Sequence, residues 1–215
     1  MKKVKYYAGH AVFSLLYAFC TALTSAAILC IENLVWLKAI LLSLNLILYI
    51  YIVGAVAFKD GEQALKVRNN NDFERRIIIR TGEDRPLDLI GEYKVWKGFV
   101  IGAVACIPVV LLLLIHTILV AIDPTQTGVG TLVSFLYMCV FAFFRINVIQ
   151  TGWDSMDESL AANATIAPEL YYVTLLMIPI LVLTIGISYY LGAKKEELKK
   201  RKLEERQRIY SGVNS

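Results

Sequence analysis

The sequence predicts an all-α fold, a polytopic bundle of transmembrane helices with a short soluble cytoplasmic insert. The first observation is composition, because 57% of the 215 residues are hydrophobic, 19% are charged and the mean hydropathy is +0.58. A soluble domain carries about 25% charged residues. The second is the placement of charge, which is concentrated at the N-terminus and in the segments 59–97, 154–169 and 194–208. The long apolar stretches between them are typical of membrane spans.

Four segments are long and apolar enough to cross a membrane as helices. A span needs about 20 apolar residues, since each helical residue rises ~1.5 Å, and its backbone amides must be satisfied within the helix. The four predicted spans are residues 12–31, 34–58, 98–122 and 170–191. The connection between the first two is very short, so we expect residues 1–58 to form an N-terminal transmembrane helical hairpin.

Residues 59–97 form a predicted cytoplasmic loop, the one sizeable soluble insert in the sequence. The loop contains nine Lys or Arg residues and eight acidic residues. The three asparagines at 69–71 indicate a turn. The apolar runs 77–79 and 87–90 indicate a short β-hairpin or a folded loop, although two strands alone are only marginally stable.

Aromatic and basic residues at the ends of the spans are candidate interfacial anchors. Such side chains place an apolar body in the lipid and a polar end among the headgroups. Trp36 lies at the start of the second span, and Tyr93, Trp96 and Lys97 precede the third. We expect these four residues to set the depth of their helices.

The C-terminal membrane region, 98–192, contains a fifth hydrophobic segment at 131–149. If this segment crosses fully, the following loop, which has no Lys or Arg before residue 170, is cytoplasmic, and the basic tail at 193–215 is outside. Both placements violate the positive-inside rule. A re-entrant or interfacial segment leaves the N-terminus and the tail in the cytoplasm. The charge pattern favours this second arrangement, with five full crossings as the alternative.

The basic cytoplasmic tail is predicted to continue the last span as a helix, because its Lys and Glu residues are mixed at i,i+4 spacing. Residues 194–208 contain eight basic and four acidic residues, a net charge of +4. Two interpretations stay open. The tail is either a solvated extension of the helix or a segment attracted to anionic lipid headgroups.

Polar or ionisable side chains inside the apolar segments are candidate functional groups. Three stand out: Asn45, His116 and Arg145. Asn45 either bonds across a helix interface or contacts a substrate. His116 either relays protons or is a neutral imidazole bonded to a neighbouring helix. Arg145 either binds an anion or pairs with one of the carboxylates at 123, 154 and 157, or it has a structural role, in which it snorkels or stabilises a re-entrant turn.

The sequence contains no recognisable nucleophile–base pair, metal-ligand cluster or phosphate-binding loop. We therefore expect no enzymatic activity, no cofactor, no metal and no nucleic-acid partner. The favoured hypothesis is a non-enzymatic accessory or scaffold subunit of a membrane complex, which contacts the lipid bilayer and either a protein partner or further copies of itself. The alternative is a small transporter, channel or permease subunit whose polar path contains Asn45, His116 and Arg145.

The segment 95–102, Val-Trp-Lys-Gly-Phe-Val-Ile-Gly, is followed by Ile107-Pro108. It resembles the corresponding part of functionally uncharacterised small polytopic membrane proteins of Gram-positive bacteria. In these proteins a soluble loop ends in Lys-Gly-Phe or Lys-Gly-Leu, and the next helix carries an Ile-Pro kink. The late Tyr-Leu-Gly at 190–192, before a basic tail, is similar too. The resemblance implies a multi-pass protein of the bacterial plasma membrane and implies no activity.

Overall fold

The computed structural model describes residues 2–31, 34–82, 86–123, 128–145 and 168–213. Most of the residues in these ranges are helical, and none of them lies in a strand. The helices are α1 (Lys2–Leu29), α2 (Val35–Thr81), α3 (Lys97–Ala105), α4 (Ile107–Ile122), α5 (Gly128–Leu136), α6 (Met138–Arg145), a 3₁₀ helix (Pro168–Leu176) and α7 (Met177–Val213).

The predicted all-α bundle with four candidate spans is confirmed. Four helical stretches are long and apolar enough to cross a membrane: Val12–Leu29, Val35–Thr81, Lys97–Ile122 and Tyr171–Ile209. Each of them overlaps one of the spans expected from hydropathy almost completely. By length and composition, the chain is therefore a membrane-embedded helical protein.

The helices share two common ends. In the N-terminal hairpin, Ser14 of α1 lies at Tyr49 of α2, whereas Thr21 lies at Asn45, so the two helices are antiparallel. The long helices α2 and α7 run parallel. Gly54 contacts Ser188, and one turn further along both helices Phe58 contacts Gly192. We call the end where α1 begins and both α2 and α7 finish the near end. The opposite end is the far end.

The predicted turn at 69–71 and the predicted β-hairpin at 77–90 are wrong. Residues 59–81 continue α2 as an uninterrupted helix, which ends at Gly82 in a left-handed conformation with φ 72°. Two of the three asparagines form tertiary hydrogen bonds. Asn71 donates to the Asp88 carbonyl over 2.9 Å, and the Asn69 side chain accepts from Lys200 over 3.3 Å. Contacts with the rest of the chain override the local turn preference of asparagine.

The described part of the connection from α2 to α3, residues 86–96, packs back against α2. Arg75 of α2 forms an ion pair with Glu92 over 3.2 Å. The backbone amide of Tyr93 donates to the Ala64 carbonyl over 3.1 Å. These contacts hold the connection against the near-end extension of α2.

The third span consists of two helices. α3 ends at Ala105, and α4 begins at Ile107 with Pro108 in its first turn. Proline is tolerated there because the first amides of a helix have no intrahelical acceptor. The third span is thus interrupted at Cys106, directly before Ile107-Pro108.

The fifth hydrophobic segment enters the bundle from the far end along α5. Gly130, near the start of α5, touches the ring of His116 in the far half of α4. One and a half turns further, Phe135 meets Phe19 of α1, with 6.2 Å between the ring centroids. Tyr137 then lies buried in the main core cluster with Tyr49. The segment thus runs from the far end to the middle of the bundle.

After Tyr137 the chain turns back along α6. Cys139 lies next to Thr21, and Ala142 packs with Leu29 and Leu42 at the far end of the N-terminal hairpin. Residues 128–145 therefore enter and leave by the same end. This geometry supports the re-entrant prediction against a full crossing. Residues 146–149, the end of the predicted segment, lie outside the described ranges.

α2 and α7 form the most extensive helix contact in the described part of the chain. Two glycines allow their backbones to approach closely. A Cβ atom at Gly61 would overlap the Tyr189 carbonyl oxygen, and one at Gly192 would overlap the Phe58 carbonyl oxygen. Small residues permit this kind of packing where apolar burial gives little driving force between membrane helices. The two paired helices form the main structural element of the near half of the bundle.

Candidate functional site

Asn45 lies in the interface between α1 and α2 and is buried. Its amide nitrogen donates to the Thr21 carbonyl over 3.0 Å and to the Ser25 hydroxyl over 2.8 Å. Its amide oxygen accepts a hydrogen bond from the Thr24 hydroxyl over 2.9 Å. Three hydrogen bonds to α1 occupy the side chain, so Asn45 joins the two helices of the N-terminal hairpin.

His116 lies in the far half of α4 and is fully buried. The ring of Tyr171 meets it edge-on at a centroid distance of 5.0 Å. On another side the ring lies against the backbone of Gly130, where a Cβ would be 2.7 Å from Cε1. Neither imidazole nitrogen has a hydrogen-bond partner among the described residues. The bond to a neighbouring helix that the sequence suggested is thus not found in the described part of the chain.

Arg145 is the last residue of α6. The structure therefore places its backbone at the end of the segment that turns back toward the far end. Its side chain and the partners suggested for it at positions 154 and 157 lie outside the described part of the molecule. The role of Arg145 stays a prediction.

Asn45 and His116 do not meet in one cavity. Asn45 is enclosed by α1, whereas His116 is enclosed by the 3₁₀ helix and α5. A groove lies between α2 and α7, and neither residue lines it. The arrangement gives no shared polar path through the described part of the bundle.

The candidate anchors fall into two groups. Trp36 and Trp96 are exposed on the surface, and the ammonium group of Lys94 lies 5.7 Å from the Trp96 ring centroid. This exposure leaves both indoles available to an interface.

Tyr93 and Lys97 are instead buried within the chain. Tyr93 stacks on Tyr189 with 5.5 Å between the ring centroids, and burial raises the pKa of its hydroxyl. The Lys97 ammonium donates to the Ile90 carbonyl over 2.7 Å. Both residues therefore hold the 86–96 connection against the helices.

Beyond the apolar spans, α2 and α7 continue together as a charged extension, which we call the stalk and define as residues 59–81 and 194–213. Glu62 of α2 forms ion pairs with Lys195 and Lys199 of α7. Lys66 reaches Glu196 over 4.0 Å. Exposed pairs of this kind contribute about 0–1 kcal/mol each. These ion pairs therefore favour the parallel register of α2 and α7 but add little to the free energy of folding.

The stalk also exposes large apolar side chains. Phe73 and Ile79 on α2 are 63% and 83% exposed, and Leu198, Leu203 and Ile209 on α7 are exposed as well. These residues lie beyond the predicted apolar spans, among charged neighbours. Their exposure leaves these side chains available for contact with another protein.

Several of these features carry no clear signal in the sequence. The hydrogen-bond partners of Asn45 lie at 21, 24 and 25, and their spacing places them on one face of α1, but nothing in the sequence pairs that face with α2. Gly61 and Gly192 are separated by most of the chain. Their close approach follows only from the pairing of α2 with α7.

The fold and these residues define the class of the protein: a polytopic α-helical membrane protein with a two-helix stalk at its near end. The described residues contain no group of three or more His, Cys, Asp or Glu side chains that could hold a metal ion. Comparisons of the chain with protein-family models, curated protein sequences and solved structures gave no significant match. The function is therefore argued from the geometry.

Proposed function

We propose that the protein is a non-enzymatic accessory or scaffold subunit of a membrane complex, and that its stalk binds a protein partner in the cytoplasm. The membrane would be the plasma membrane of a bacterium, as the sequence resemblance suggests. The observation that carries the proposal is the stalk itself. Two spanning helices continue past their apolar segments as a paired, charged structure with exposed apolar side chains.

The cytoplasmic placement of the stalk follows from charge. Lys2, Lys3 and Lys5 precede the first span, and the stalk lies at the same near end of the bundle. The segment 150–169 follows α6 and has acidic residues but no Lys or Arg. Basic residues concentrate on the cytoplasmic side of plasma-membrane proteins. This rule supports a cytoplasmic near end with both termini inside.

The partner's chemistry follows from the same surface. The C-terminal part of the stalk carries a net charge of +4 between Lys194 and Arg208, and Leu203 and Ile209 lie among these charges. A complementary partner has an apolar strip flanked by acidic residues. Charge complementarity steers the encounter, whereas burial of the apolar side chains supplies affinity.

Site-specific photo-crosslinking in cells tests this proposal. A benzophenone amino acid at Leu203 should give one predominant adduct with a second protein, because this exposed side chain belongs to the proposed docking surface. The control probe replaces Leu44, which is 56% exposed in the apolar part of α2. Equal adduct yields from the two probes would contradict stalk docking. An adduct between two copies of this chain would show that the stalk binds another copy of the protein and not a different partner.

A transporter or channel subunit is the second candidate, and His116 is the observation that favours it. A fully buried imidazole with neither nitrogen bonded among the described residues is an expensive arrangement in a membrane. Proton or solute flux into liposomes tests this alternative. If flux is present, His116→Ala should reduce it at least tenfold. Absence of flux from the parent protein, or unchanged flux in the variant, would remove the alternative.

A further inference from the structure

The groove between α2 and α7 has apolar walls and a basic mouth. Its volume is about 490 Å³. Ile50, Ala55 and Phe58 of α2 form the apolar wall, and the hydroxyl-bearing side chains Thr184 and Ser188 of α7 lie opposite. None of these residues belongs to the polar set singled out from the sequence. The groove is thus separate from both Asn45 and His116.

The groove lies where the two apolar spans reach their near ends. Phe58 is the last residue of the uncharged run in α2, and Lys59 follows it. From Ile50 to Phe58 the helix rises ~12 Å, at about 1.5 Å per residue. Tyr51, which lines the groove, is 70% exposed, so the groove opens sideways from the bundle. Its apolar part is therefore open to the surrounding lipid, and its mouth is level with the headgroups.

Two lysines line the mouth, together with one carboxylate. The Lys195 ammonium lies 5.0 Å from the centroid of the Phe58 ring and 3.8 Å from the Glu62 carboxylate. Glu62 is also paired with Lys199, which approaches it more closely than Lys195 does. Lys59 lines the groove on the α2 side and is exposed. With Glu62 engaged by Lys199, the mouth keeps a surplus of positive charge.

We propose that this groove is a binding site for an anionic phospholipid. One acyl chain lies along Ile50 and Ala55, the Thr184 and Ser188 hydroxyls face the glycerol ester region, and Lys59 and Lys195 contact the headgroup phosphate. The inference does not depend on the scaffold role, since the groove belongs to the spans and the proposed partner surface to the outer stalk. An anionic lipid is favoured over a zwitterionic one because the two ammonium groups at the mouth exceed the single carboxylate.

Fluorescence quenching by brominated lipid tests the site directly. Trp36, Trp96 and Trp153 are replaced by Phe, and a single reporter is introduced as Tyr51→Trp in the groove. The purified protein is reconstituted in vesicles that contain brominated phosphatidylglycerol or brominated phosphatidylcholine at the same mole fraction. Attraction of a base near the membrane surface corresponds to about fivefold in affinity, so phosphatidylglycerol should bind the groove at least fivefold more strongly than phosphatidylcholine.

A second reporter provides the positional control. Leu44→Trp lies on the same helix, is lipid-exposed and does not line the groove. We expect the two brominated lipids to quench this reporter about equally. An equal phosphatidylglycerol preference at both reporters, or no preference at either, would overturn the proposal without any further variant.

Charge variants identify the headgroup contacts. Lys59→Gln combined with Lys195→Gln should reduce the preference at the groove reporter to about onefold. The matched control, Lys202→Gln with Arg206→Gln, removes the same charge from the outer stalk and should leave the preference unchanged. If both pairs reduce the preference equally, the attraction is a diffuse property of the basic end, and the proposed site is wrong. Circular dichroism and gel filtration establish that each variant is folded.

Discussion

At the scale of single residues, the polar groups inside the bundle divide into bonded and unbonded ones. Asn45 uses both ends of its amide to bind α1, and its partners are hydroxyl and carbonyl groups of Thr21, Thr24 and Ser25. His116 has aromatic and backbone neighbours but no hydrogen bond among the described residues. We therefore expect substitution of these two side chains to have opposite effects on the free energy of unfolding.

Asn45→Ala should destabilise the N-terminal hairpin. The variant removes three hydrogen bonds between α1 and α2, and we expect a loss of about 1–2 kcal/mol in the free energy of unfolding, since single interhelical bonds in membranes contribute about 0.6 kcal/mol on average. Unfolding in mixed micelles with increasing SDS measures it. The control is Ser43→Ala, because the Ser43 hydroxyl bonds only its own helix at Ala39. Equal losses in the two variants would contradict the bridging role.

His116→Leu should leave the stability unchanged or raise it. The substitution replaces a buried imidazole that has no described hydrogen bond with an apolar side chain of similar volume, and removing an unsatisfied polar group is nearly neutral or stabilising. Thermal unfolding in detergent measures the effect. A loss of more than about 1.5 kcal/mol, the upper net contribution of one hydrogen bond, would show that the imidazole has a bonded partner in the native membrane.

Among the single residues singled out from the sequence, the structure agrees with the expectation for some and differs for others. An asparagine in the middle of an apolar span indicates an interhelical hydrogen bond, and the structure provides the partners on α1. Tyr93 and Lys97 have the composition of interfacial anchors, yet both are buried against the chain. The difference arises because the 86–96 connection folds back onto α2, an arrangement that depends on contacts far apart in sequence.

At the scale of elements, the contact between α2 and α7 depends on two glycines. Any side chain at Gly61 or Gly192 would meet the backbone of the opposite helix. Backbone atoms cannot move aside as a flexible side chain can. The two helices would have to separate, and the ion pairs of the stalk would lengthen with them.

Gly61→Ala should therefore weaken the bundle even though alanine favours helix formation. We expect a loss of about 2–3 kcal/mol, the range for overpacking a close contact, together with easier proteolysis of the stalk. The control is Gly9→Ala in α1, where a Cβ meets no atom within 4 Å. That variant should be neutral or slightly stabilising. An unaffected Gly61→Ala protein in SDS unfolding would contradict the close approach.

The elements were predictable where hydropathy decides them. Long apolar runs identify the four spans because lipid accepts only such segments. Hydropathy does not indicate that α2 continues to Thr81, since three successive asparagines favour a turn unless other segments bind them. The chain breaks between α5 and α6 at Tyr137, where the sequence has no proline or glycine that would predict a break. Tyr137 is buried in the core at this break.

At the scale of the whole molecule, the re-entrant path of α5 and α6 determines the relation between the two ends of the chain. With four spans and one segment that returns, α1 begins and α7 finishes at the same end. Counting hydrophobic segments alone gives five and places the ends on opposite sides. The charge pattern in the sequence favoured the first arrangement, and the packing supports it.

Cysteine labelling in intact bacterial cells tests this arrangement. The four native cysteines are replaced by Ser, and Asp123→Cys or Lys202→Cys is introduced. A membrane-impermeant maleimide should label position 123 in intact cells and position 202 only after lysis. The reverse pattern would contradict the cytoplasmic placement of the stalk. Labelling of both positions in intact cells would contradict the even number of crossings.

The pairing of α2 with α7 has a consequence for biosynthesis. The principal partner of the second helix is synthesised much later than α2 itself, because α2 ends at Thr81 and α7 begins at Met177. Until then Gly54 and its neighbours in the membrane have no helix covering them. During that interval lipids or an insertion chaperone must shield this face. Chains that terminate before α7 would keep it uncovered and would be preferred substrates for membrane proteases that remove orphan helices.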